Sequence, residues 1–388
     1  MRILFVTPSY YPIVGGSEVL TRILSTKLNE IGIRADIMTF NMDKKWSPFW
    51  TERTEREGAT NVFKEAALNP LPGLPNPMFN LLRINVIPKP NFTEKFKDYD
   101  IIHFLGEADL SFPIFSYFAK KPKLLQCVGI FRNGGIYRYY THERAFLGKT
   151  FRRVFPKLAN KFVISSDEDR ALLSEMGIPK DKILVLPIGV DTRVFRADET
   201  KRTDNTLLFV GRIDRIKGLH ILLKALFYVK TPTKLAVIGP RWDEEYVKEI
   251  EGMARTINEN GTHEIVFLGT LNQADLVPWY QKASLVICPY LYETYSNVTR
   301  ESLACATPVI STGTHLREQG PDGVILTEKD PESLAKAIER LLKDKKMREK
   351  CGSDGRTVIE RFFSWESIVK DLSDIYKSIL SVSECKTS

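Results

Sequence analysis

The stretch 206-TLLFVGRIDRIKGLHILLKALFYV-229 contains, in order, an apolar strand, a glycine-bearing loop and an amphipathic helix. The apolar run at its start predicts a buried strand, and the later apolar residues recur at helical spacing. The same order occurs at the N-terminus, where 2-RILFVTP-8 precedes the loop 9-SYYPIVGGS-17 and a helical segment. Both halves of the chain are therefore predicted to be Rossmann-type domains.

Further strands alternate with helices along the chain, which is typical of a parallel α/β sheet. In the second half, strands are predicted in LAVIGP, VFLGTL, SLVICPY and TPVIST, with a helix over 243–258. In the first half, Gly32 is predicted to end the first helix. The apolar residues that recur at helical spacing in that helix are Val19, Ile23, Leu24, Leu28 and Ile31.

A chain of 388 residues suits two domains of ~150–200 residues each. The boundary is predicted near 187-PIGVDTRVFRADETKRTDN-205, where proline, glycine and charged residues interrupt the pattern, so the domains are 1–187 and 188–365. Residues 41–95 hold seven prolines and weak periodicity, which predicts a long insertion in the first domain. The segment 364-SWESIVKDLSDIYKSIL-380 is predicted to be an amphipathic helix.

The composition, with 43% hydrophobic and 27% charged residues, is that of a soluble globular protein. No apolar run approaches the ~18 residues of a membrane-spanning helix, and the N-terminus lacks the features of a signal peptide. The five cysteines are scattered without CxxC spacing, which predicts reduced thiols, a cytoplasmic location and no structural zinc. A net charge of +8 favours anionic partners such as nucleotides, phosphates or lipid headgroups. No nucleic-acid-binding module is recognisable, so nucleic acid is not a predicted partner.

Two cations follow the strand of the opening stretch. Gly211 ends the strand, and Arg212 and Lys217 lie on the loop before the next helix. Cations beside a sheet edge suit a diphosphate, because they neutralise the charge that develops on a leaving group. The alternative is that both are solvated loop charges, as most Lys and Arg side chains are.

Two carboxylates occur in 290-YLYETYSNVTRESLACATPVIS-311, namely Glu293 and Glu301. A helix is predicted to begin at Ser296 or Asn297 and to end before Pro308. Its first N–H groups would form a second diphosphate site. On one helix the two carboxylates would lie about 12 Å apart and about 80° round the axis. That spacing suits the two ends of a long ligand better than a catalytic pair, but two unrelated surface charges fit it equally well.

The acidic sequence 167-DED-169 has the D-x-D form with which metal-dependent sugar transferases hold a cation. It opens a predicted helix, where the helix dipole alone favours acidic residues. Metal binding is therefore not predicted.

Together these residues resemble glycosyltransferase family 4, the retaining transferases with the GT-B fold, over nearly the whole chain. The resemblance is carried by the E-x7-E pair and by FVGRIDRIKG, VFLGTLNQADLVPWYQKASLVICPY, RESLACATPVIST and GGSE at 15–18. It implies an α/β fold with two Rossmann-like domains facing a central cleft, the acceptor side in 1–187 and the nucleotide sugar in 188–365. It also implies that a C-terminal helix, about 366–388, packs back onto the first domain.

The resemblance implies a role for individual residues. Arg212 and Lys217 would hold the donor diphosphate, Glu293 would contact the transferred sugar, and Glu301 would bind the ribose hydroxyls. The remaining implied donor contacts are the main-chain groups of Asn297 and Val298 at the phosphates or sugar, Leu271 next to the base, Gly211 at the strand end, and Gly15 and Gly16 where the first domain's backbone approaches the phosphate.

The sequence departs from the family pattern at several positions. Thr294, Ser296 and Ala306 stand where glycine is common in the family, and Val128 stands where members often carry a histidine near the reactive face of the sugar. Val128 keeps open a second interpretation, in which the protein binds a nucleotide sugar or glycan without catalysis and acts with a partner. A dinucleotide-dependent oxidoreductase is disfavoured, because neither glycine loop fits G-x-G-x-x-G.

The mechanism that the resemblance implies is transfer with retention, in which the acceptor hydroxyl attacks from the face that the diphosphate leaves. It needs no protein nucleophile, metal or cofactor other than the nucleotide sugar. The acceptor is expected to be a carbohydrate or lipid-linked, with Asn133 and Arg138 as candidate contacts. The segment 132–157 has seven basic residues, one acidic residue and six aromatic residues, so it suits either peripheral contact with an anionic membrane or a core helix with a basic face.

Overall fold

A computed structural model of the protein describes residues 1–7, 9–12, 16–42, 51–68, 87–88, 91–106, 116–127, 155–165, 167–291, 296–313 and 323–384. The chain divides into two compact units. One unit comprises Met1–Ile188 together with Ile368–Ser388, and the other comprises Gly189–Ser367. None of the helices in the described ranges is long and apolar enough to cross a membrane.

The first unit is built on a parallel sheet. Its strands, within the described ranges, are β1 (Arg2–Val6), β2 (Arg34–Phe40), β3 (Arg53–Glu57), β4 (Thr60–Glu65), β5 (Ala67–Leu68), β6 (Ile87–Pro88), β7 (Ile101–Gly106), β8 (Lys123–Cys127), β9 (Lys161–Ile164) and β10 (Ile183–Val185). Eight of them form one sheet in the order β10-β9-β8-β7-β1-β2-β4-β3, and β5 pairs with β6. Only β3 runs antiparallel to its neighbour in the eight-stranded sheet as described. The helices of this part are α1 (Gly16–Glu30) and α2 (Glu168–Glu175).

The apolar stripe that the periodicity indicated in α1 is only partly buried. Val19 is 37% exposed and Ile31 is 55% exposed. The helix ends at Glu30, so Ile31 lies beyond it, and Gly32 follows with a φ of +81°, which confirms the predicted stop. The buried leucines are spaced four residues apart and so share one line along the helix; they are Leu20, Leu24 and Leu28.

Residues 53–65 form two strands that extend the sheet, so the prediction of an insertion was wrong for this part. Strand β4 lies parallel to β2, with Val62 opposite Ile37, and Val62 is fully buried. In the sequence of β3, RTERE, every residue except Thr54 is charged, and all five are exposed or half-buried, so the strand shows no hydrophobic alternation. A strand at a sheet edge needs few core residues, which is why periodicity missed it. Residues 43–50 and 69–86 lie outside the described ranges.

The second unit is also built on a parallel sheet. Its strands are β11 (Thr206–Val210), β12 (Thr233–Ile238), β13 (His263–Gly269), β14 (Leu285–Cys288), β15 (Val309–Ser311) and β16 (Val324–Leu326). Across the described residues they form one sheet in the order β13-β12-β11-β14-β15-β16, and every pairing is parallel. The helices are α3 (Leu219–Leu226), α4 (Glu244–Glu259), α5 (Gln273–Lys282), α6 (Asn297–Ala304), α7 (Pro331–Lys343) and α8 (Lys345–Val358). This alternation confirms the predicted parallel α/β architecture.

Helices cover both faces of this sheet, because successive strand residues point to opposite sides. In β11, Leu207 and Phe209 pack in one apolar cluster with residues of α3, α4 and α7. The intervening Leu208 packs in a second cluster with residues of α5 and α6. Both faces of the central strand β11 are therefore removed from water.

The last helix, α9 (Trp365–Glu384), follows a π-helical turn at Ile359–Phe363. From Ile368 onward it belongs to the first unit. Its Tyr376 is fully buried, and the Tyr376 hydroxyl lies 2.6 Å from Nδ1 of His103 in β7. The C-terminal helix is thus joined to the central part of the first sheet.

Candidate functional site

The loops that follow β11, β12, β13 and β14 lie at one edge of the second unit's sheet. Parallel strands end at the same edge, and ligands of open α/β sheets bind there. Main-chain hydrogen bonds join these loops: Gly239 N–H donates to Gly269 O (2.8 Å), Gly211 N–H to Ile238 O (2.9 Å), and Leu291 N–H to Ile216 O (2.9 Å). The edge is therefore a continuous surface.

Two glycines shape the loop between β11 and α3. Gly211 has a φ of +152° and Gly218 a φ of +70°, conformations that favour glycine. A Cβ at Gly218 would lie 1.8 Å from the carbonyl oxygen of Pro289. The loop 211–218 thus lies directly against the end of β14, and no larger residue would allow this approach.

Arg212 is held on this edge by two neighbours. Its guanidinium Nη2 lies 3.2 Å from Oδ2 of Asp214, and its Cζ lies 4.7 Å from the centre of the Trp242 ring. The side chain of Arg212 remains 43% exposed. A half-exposed guanidinium that is fixed on two sides is suited to binding an anion from solvent.

Lys217 connects this loop to the loop after β14. Its main-chain N–H donates to Oδ1 of Asp214 over 3.0 Å, and its Nζ lies 4.7 Å from the centre of the Tyr290 ring. Tyr290 is buried, and its hydroxyl lies 3.2 Å from the hydroxyl of Ser296. Tyr290 therefore brings the predicted cation close to the start of α6.

Helix α6 begins where the sequence predicted. Ser296 is its N-cap, and the Ser296 hydroxyl accepts a hydrogen bond from the N–H of Thr299 over 3.2 Å. Asn297 is exposed and Val298 is half-buried. The first N–H groups of a helix have no acceptor within the helix and lie at the positive end of its dipole. The main chain at Asn297 and Val298 can therefore bind an anion.

Glu301 lies about one turn inside α6. One carboxylate oxygen accepts a hydrogen bond of 2.8 Å from the hydroxyl of Tyr280, which is fully buried. Burial raises the pKa of Glu301, and the Tyr280 hydrogen bond opposes that shift. Tyr280 belongs to α5, and Leu271, just before this helix, packs against the same apolar cluster. Glu301 is thus connected to α5 through Tyr280, and Leu271 packs against the apolar cluster to which Tyr280 belongs.

Several predicted contacts lie outside the described ranges, namely Glu293, Gly15, Asn133 and Arg138, together with Val128. Gly16, in the first unit, is the first residue of α1, and a Cβ built on it would meet no atom within 4 Å. In the sequence DED, Asp167 precedes α2 and forms an ion pair of 2.6 Å with Arg170. A local ion pair and a helix start account for that acidic residue.

Four residues that contact the predicted site residues were not predicted from the sequence: Asp214, Trp242, Tyr280 and Tyr290. The position of Asp214 between the two cations in GRIDRIKG was a usable signal. The aromatic residues carried none, since buried and loop aromatics occur throughout such chains. Their contacts with the site depend on the order of the strands in the sheet.

Similarity to solved structures defines the fold class. Sucrose-phosphate synthase from Thermosynechococcus elongatus aligns with a TM-score of 0.71 and 22% identity, covering 98% of this chain and 100% of that chain. The protein HepE of Anabaena, in complex with UDP, aligns with a TM-score of 0.70 and 18% identity, covering 97% of this chain and 100% of that one. The protein therefore has the GT-B fold of two α/β units.

Family models assign the chain within that class. The model described as "Glycosyltransferase Family 4" matches residues 14–194, and the model described as "Glycosyl transferases group 1" matches residues 204–344. The O-antigen chain mannosyltransferase C of Escherichia coli is 25% identical over 98% of this chain and 99% of its own length. Seven further curated relatives match over 55–58% of their own length, so the chain spans a little more than half of each. The chain belongs to the group 1 glycosyltransferases of family 4.

Proposed function

We propose that the protein transfers a sugar from a nucleoside-diphosphate sugar to an acceptor hydroxyl with retention of the anomeric configuration. One observation carries the proposal: Arg212, Lys217 and the start of α6 meet at one sheet edge, linked by Asp214 and Tyr290. Two cations and a helix N-terminus together neutralise a diphosphate, the group that such a donor releases.

In the proposed reaction, the bond between the anomeric carbon and the diphosphate oxygen breaks while Arg212, Lys217 and the α6 N–H groups take up the developing charge. The acceptor hydroxyl attacks from the same face and transfers its proton to the departing phosphate. Neither a protein nucleophile nor a metal takes part in this scheme. The fixed positions of the cations support it, because groups that are already oriented need no reorganisation during the reaction.

The donor is proposed to lie along the sheet edge with its parts assigned as in the family. Glu301 binds the ribose hydroxyls, Leu271 lies next to the base, and Glu293 contacts the transferred sugar. The hydrogen bond of Tyr280 to Glu301 and the packing of Leu271 against the cluster that contains Tyr280 support placing the ribose and the base next to each other. Gly15 and Gly16 are proposed to approach the phosphate from the first unit.

The names of related proteins guide the choice of donors. The full-length relative from E. coli is named a mannosyltransferase, and the Anabaena protein has been solved with UDP and with UDP-glucose. We therefore propose a hexose as the transferred sugar and UDP-glucose and GDP-mannose as the first donors to test.

The acceptor is proposed to be a glycan or a lipid-linked carbohydrate, contacted by Asn133 and Arg138. Peripheral contact with a membrane through 132–157 is part of this proposal, and residues 132–154 of that segment lie outside the described ranges. A cytoplasmic location is proposed as well. It is supported by the free thiols of Cys127, Cys288, Cys305 and Cys351, because disulfides are rare in reducing compartments.

The direct test is a donor panel. Binding is measured by thermal shift with nucleoside-diphosphate sugars, and turnover by release of nucleoside diphosphate in the presence of glycan and lipid extracts. The expected result is stabilisation by one donor class and acceptor-dependent release, with a product of the same anomeric configuration as the donor. Binding without turnover on every acceptor would favour the non-catalytic alternative, and the absence of binding would contradict both.

Two glutamate variants test the assigned roles. Glu293→Ala is expected to lose transfer while keeping most of the nucleotide affinity. Glu301→Gln keeps an acceptor for Tyr280 but loses the charged bonds to ribose, each worth about 1.5–3 kcal/mol, so it is expected to raise the nucleotide Kd at least tenfold. Glu259→Ala, at the exposed end of α4, is the control and is expected to match wild type. Wild-type behaviour of both variants at positions 293 and 301 would contradict the assignment.

A further inference from the structure

One carboxylate contacts both of the residues assigned to the donor diphosphate. Asp214 Oδ2 lies 3.2 Å from Nη2 of Arg212, and Asp214 Oδ1 accepts the main-chain N–H of Lys217 over 3.0 Å. Asp214 is only 7% exposed, whereas the Arg212 side chain is 43% exposed. A buried carboxylate thus contacts the guanidinium of Arg212 and the main chain of Lys217, and both of these residues remain partly exposed.

A negative charge in a site for an anionic ligand repels that ligand, so another contribution must outweigh the repulsion. The contacts of Arg212 supply one. A free arginine side chain has large rotational freedom, and ordering it lowers the affinity of whatever it binds. Asp214 on one side and the Trp242 ring on the other restrict Arg212 before any ligand arrives.

We propose that Asp214 is a positioning residue that places Arg212 and Lys217 as one clamp for the donor diphosphate. This inference rests on the proposed function. It assigns each oxygen of Asp214 a separate task, with Oδ1 ordering the turn that carries Lys217 and Oδ2 orienting Arg212. Asparagine has a single side-chain acceptor and cannot perform both tasks, whereas an ordinary N-cap requires only one.

The test compares Asp214→Asn with a matched N-cap. Asp330 caps α7 by accepting the N–H of Ser333 over 2.9 Å, in the same unit but on another helix, so Asp330→Asn is the control. UDP and GDP are the probes, with affinity measured by calorimetry. Asp214→Asn is expected to raise the Kd about tenfold, and Asp330→Asn less than twofold, at similar thermal stability.

A double-mutant cycle separates positioning from general damage. If Asp214 acts through Arg212, Asp214→Asn should change the Kd less than twofold once Arg212→Ala is present. An equal effect in both backgrounds would overturn the inference, and so would unchanged or tighter binding in the single variant. Tighter binding would mean that repulsion of the ligand by the Asp214 carboxylate dominates.

Fluorescence of the ligand-free protein tests the role of Asp214 independently of nucleotide binding. The Trp242 ring contacts Arg212 and is 64% exposed, so its fluorescence reports on the position of the guanidinium. Subtracting the emission spectrum of Trp242→Phe from that of wild type gives the emission of Trp242. Asp214→Asn is expected to change this Trp242 emission. Unchanged emission would overturn the role of Asp214 whether or not a nucleotide binds. If wild-type protein bound no nucleotide, the proposed function would fail, and the emission would still decide the geometry.

Discussion

Glu301 carries a charge in a place where charge is disfavoured. Its half-buried carboxylate accepts a hydrogen bond from the buried Tyr280 hydroxyl, and burial raises its pKa despite that bond. Carboxyl groups whose pKa is raised by burial cluster at functional sites. Ribose hydroxyls would supply the hydrogen bonds that the carboxylate loses on leaving water.

This environment predicts a pH dependence of stability. The pKa of Glu301 in the folded protein lies above its ordinary value of 4.5, so the folded state retains a proton that the unfolded chain releases. The stabilising contribution of Glu301 is therefore complete below about pH 4.5 and is lost as the pH rises through the folded-state pKa. The measurement is the free energy of unfolding of wild type minus that of Glu301→Gln, across this range. A difference that is constant or grows with pH would contradict the expectation.

Ala306, just after α6, adopts a conformation that suits glycine. Its φ is +54°, and its N–H donates to the carbonyl of Leu303 over 2.9 Å, which closes the helix end. Glycine is common at this position in the family that the chain resembles, and the left-handed conformation gives the physical reason. The alanine stores strain of about 1–2 kcal/mol.

Ala306→Gly is expected to stabilise the second unit slightly. Relief of strain outweighs the extra freedom of glycine in the unfolded chain, about 0.4–1 kcal/mol, so the net gain is up to about 1 kcal/mol. Ala304→Gly, in the last turn of α6 with helical geometry, is the matched control and should lose about 1 kcal/mol or more. Chemical denaturation measures the free energy of unfolding of both variants. An equal loss of stability in the two variants would disprove the strain argument.

At the scale of secondary-structure elements, the end of α6 is held by α8 and by the segment before β11. Two helical glycines of α8, Gly352 and Gly355, face Ala306 and Leu303. The guanidinium of Arg356 donates to Ala304 O, and Arg202 donates to Ala306 O over 3.1 Å. Cations at a helix C-terminus are favourable, so these contacts orient the helix whose other end is assigned to the phosphates.

Close packing of α8 on α6 predicts an unequal response to the same substitution. A Cβ at Gly352 would lie 2.1 Å from Ala306 O, so Gly352→Ala should displace α8 and cost about 1–3 kcal/mol despite the better helix propensity of alanine. Gly252, within α4, has no atom within 4 Å of such a Cβ, and Gly252→Ala should gain about 0.5–1 kcal/mol. Thermal unfolding measures the stability of the two variants relative to wild type. A gain of stability at both positions would contradict close packing at Gly352.

At the scale of the whole molecule, the C-terminal residues complete the first unit and not the second. The hydrogen bond between Tyr376 and His103 lies where this helix meets the sheet. Burial lowers the pKa of His103 to about 3, so its ring is neutral at physiological pH and needs a hydrogen-bonding partner.

Tyr376→Phe is therefore expected to destabilise the first unit by about 1–3 kcal/mol, the cost of leaving a buried polar group without its partner. Amide hydrogen exchange distinguishes the units, since protection should fall in β7 and β8 and stay unchanged in β11 and β12. Tyr228→Phe, at a ring that is 55% exposed, is the control and should leave both units unchanged. Equal loss of protection in both units would contradict the assignment of α9 to the first.

The sequence by itself determined the alternation of strands and helices, the start of α6 at Ser296, and the two cations after β11. These features depend on local patterns, namely apolar runs, helical spacing, capping residues and glycine punctuation, which can be recognised within about ten residues. The same patterns misjudged 53–65, because the charged edge strand β3 gains its place from the neighbouring strand β4 rather than from its own periodicity.

Only the tertiary structure decided which side chains meet. Asp214 lies behind Arg212, Trp242 covers Arg212, Tyr280 binds Glu301, and Tyr290 lies between Lys217 and Ser296. The most distant of these pairs in the chain is Lys217 and Tyr290. Such contacts exist because the order of parallel strands brings the loop ends to one edge. The order of strands follows from how whole helices cover the two faces of a sheet, a packing property that no short stretch of sequence contains.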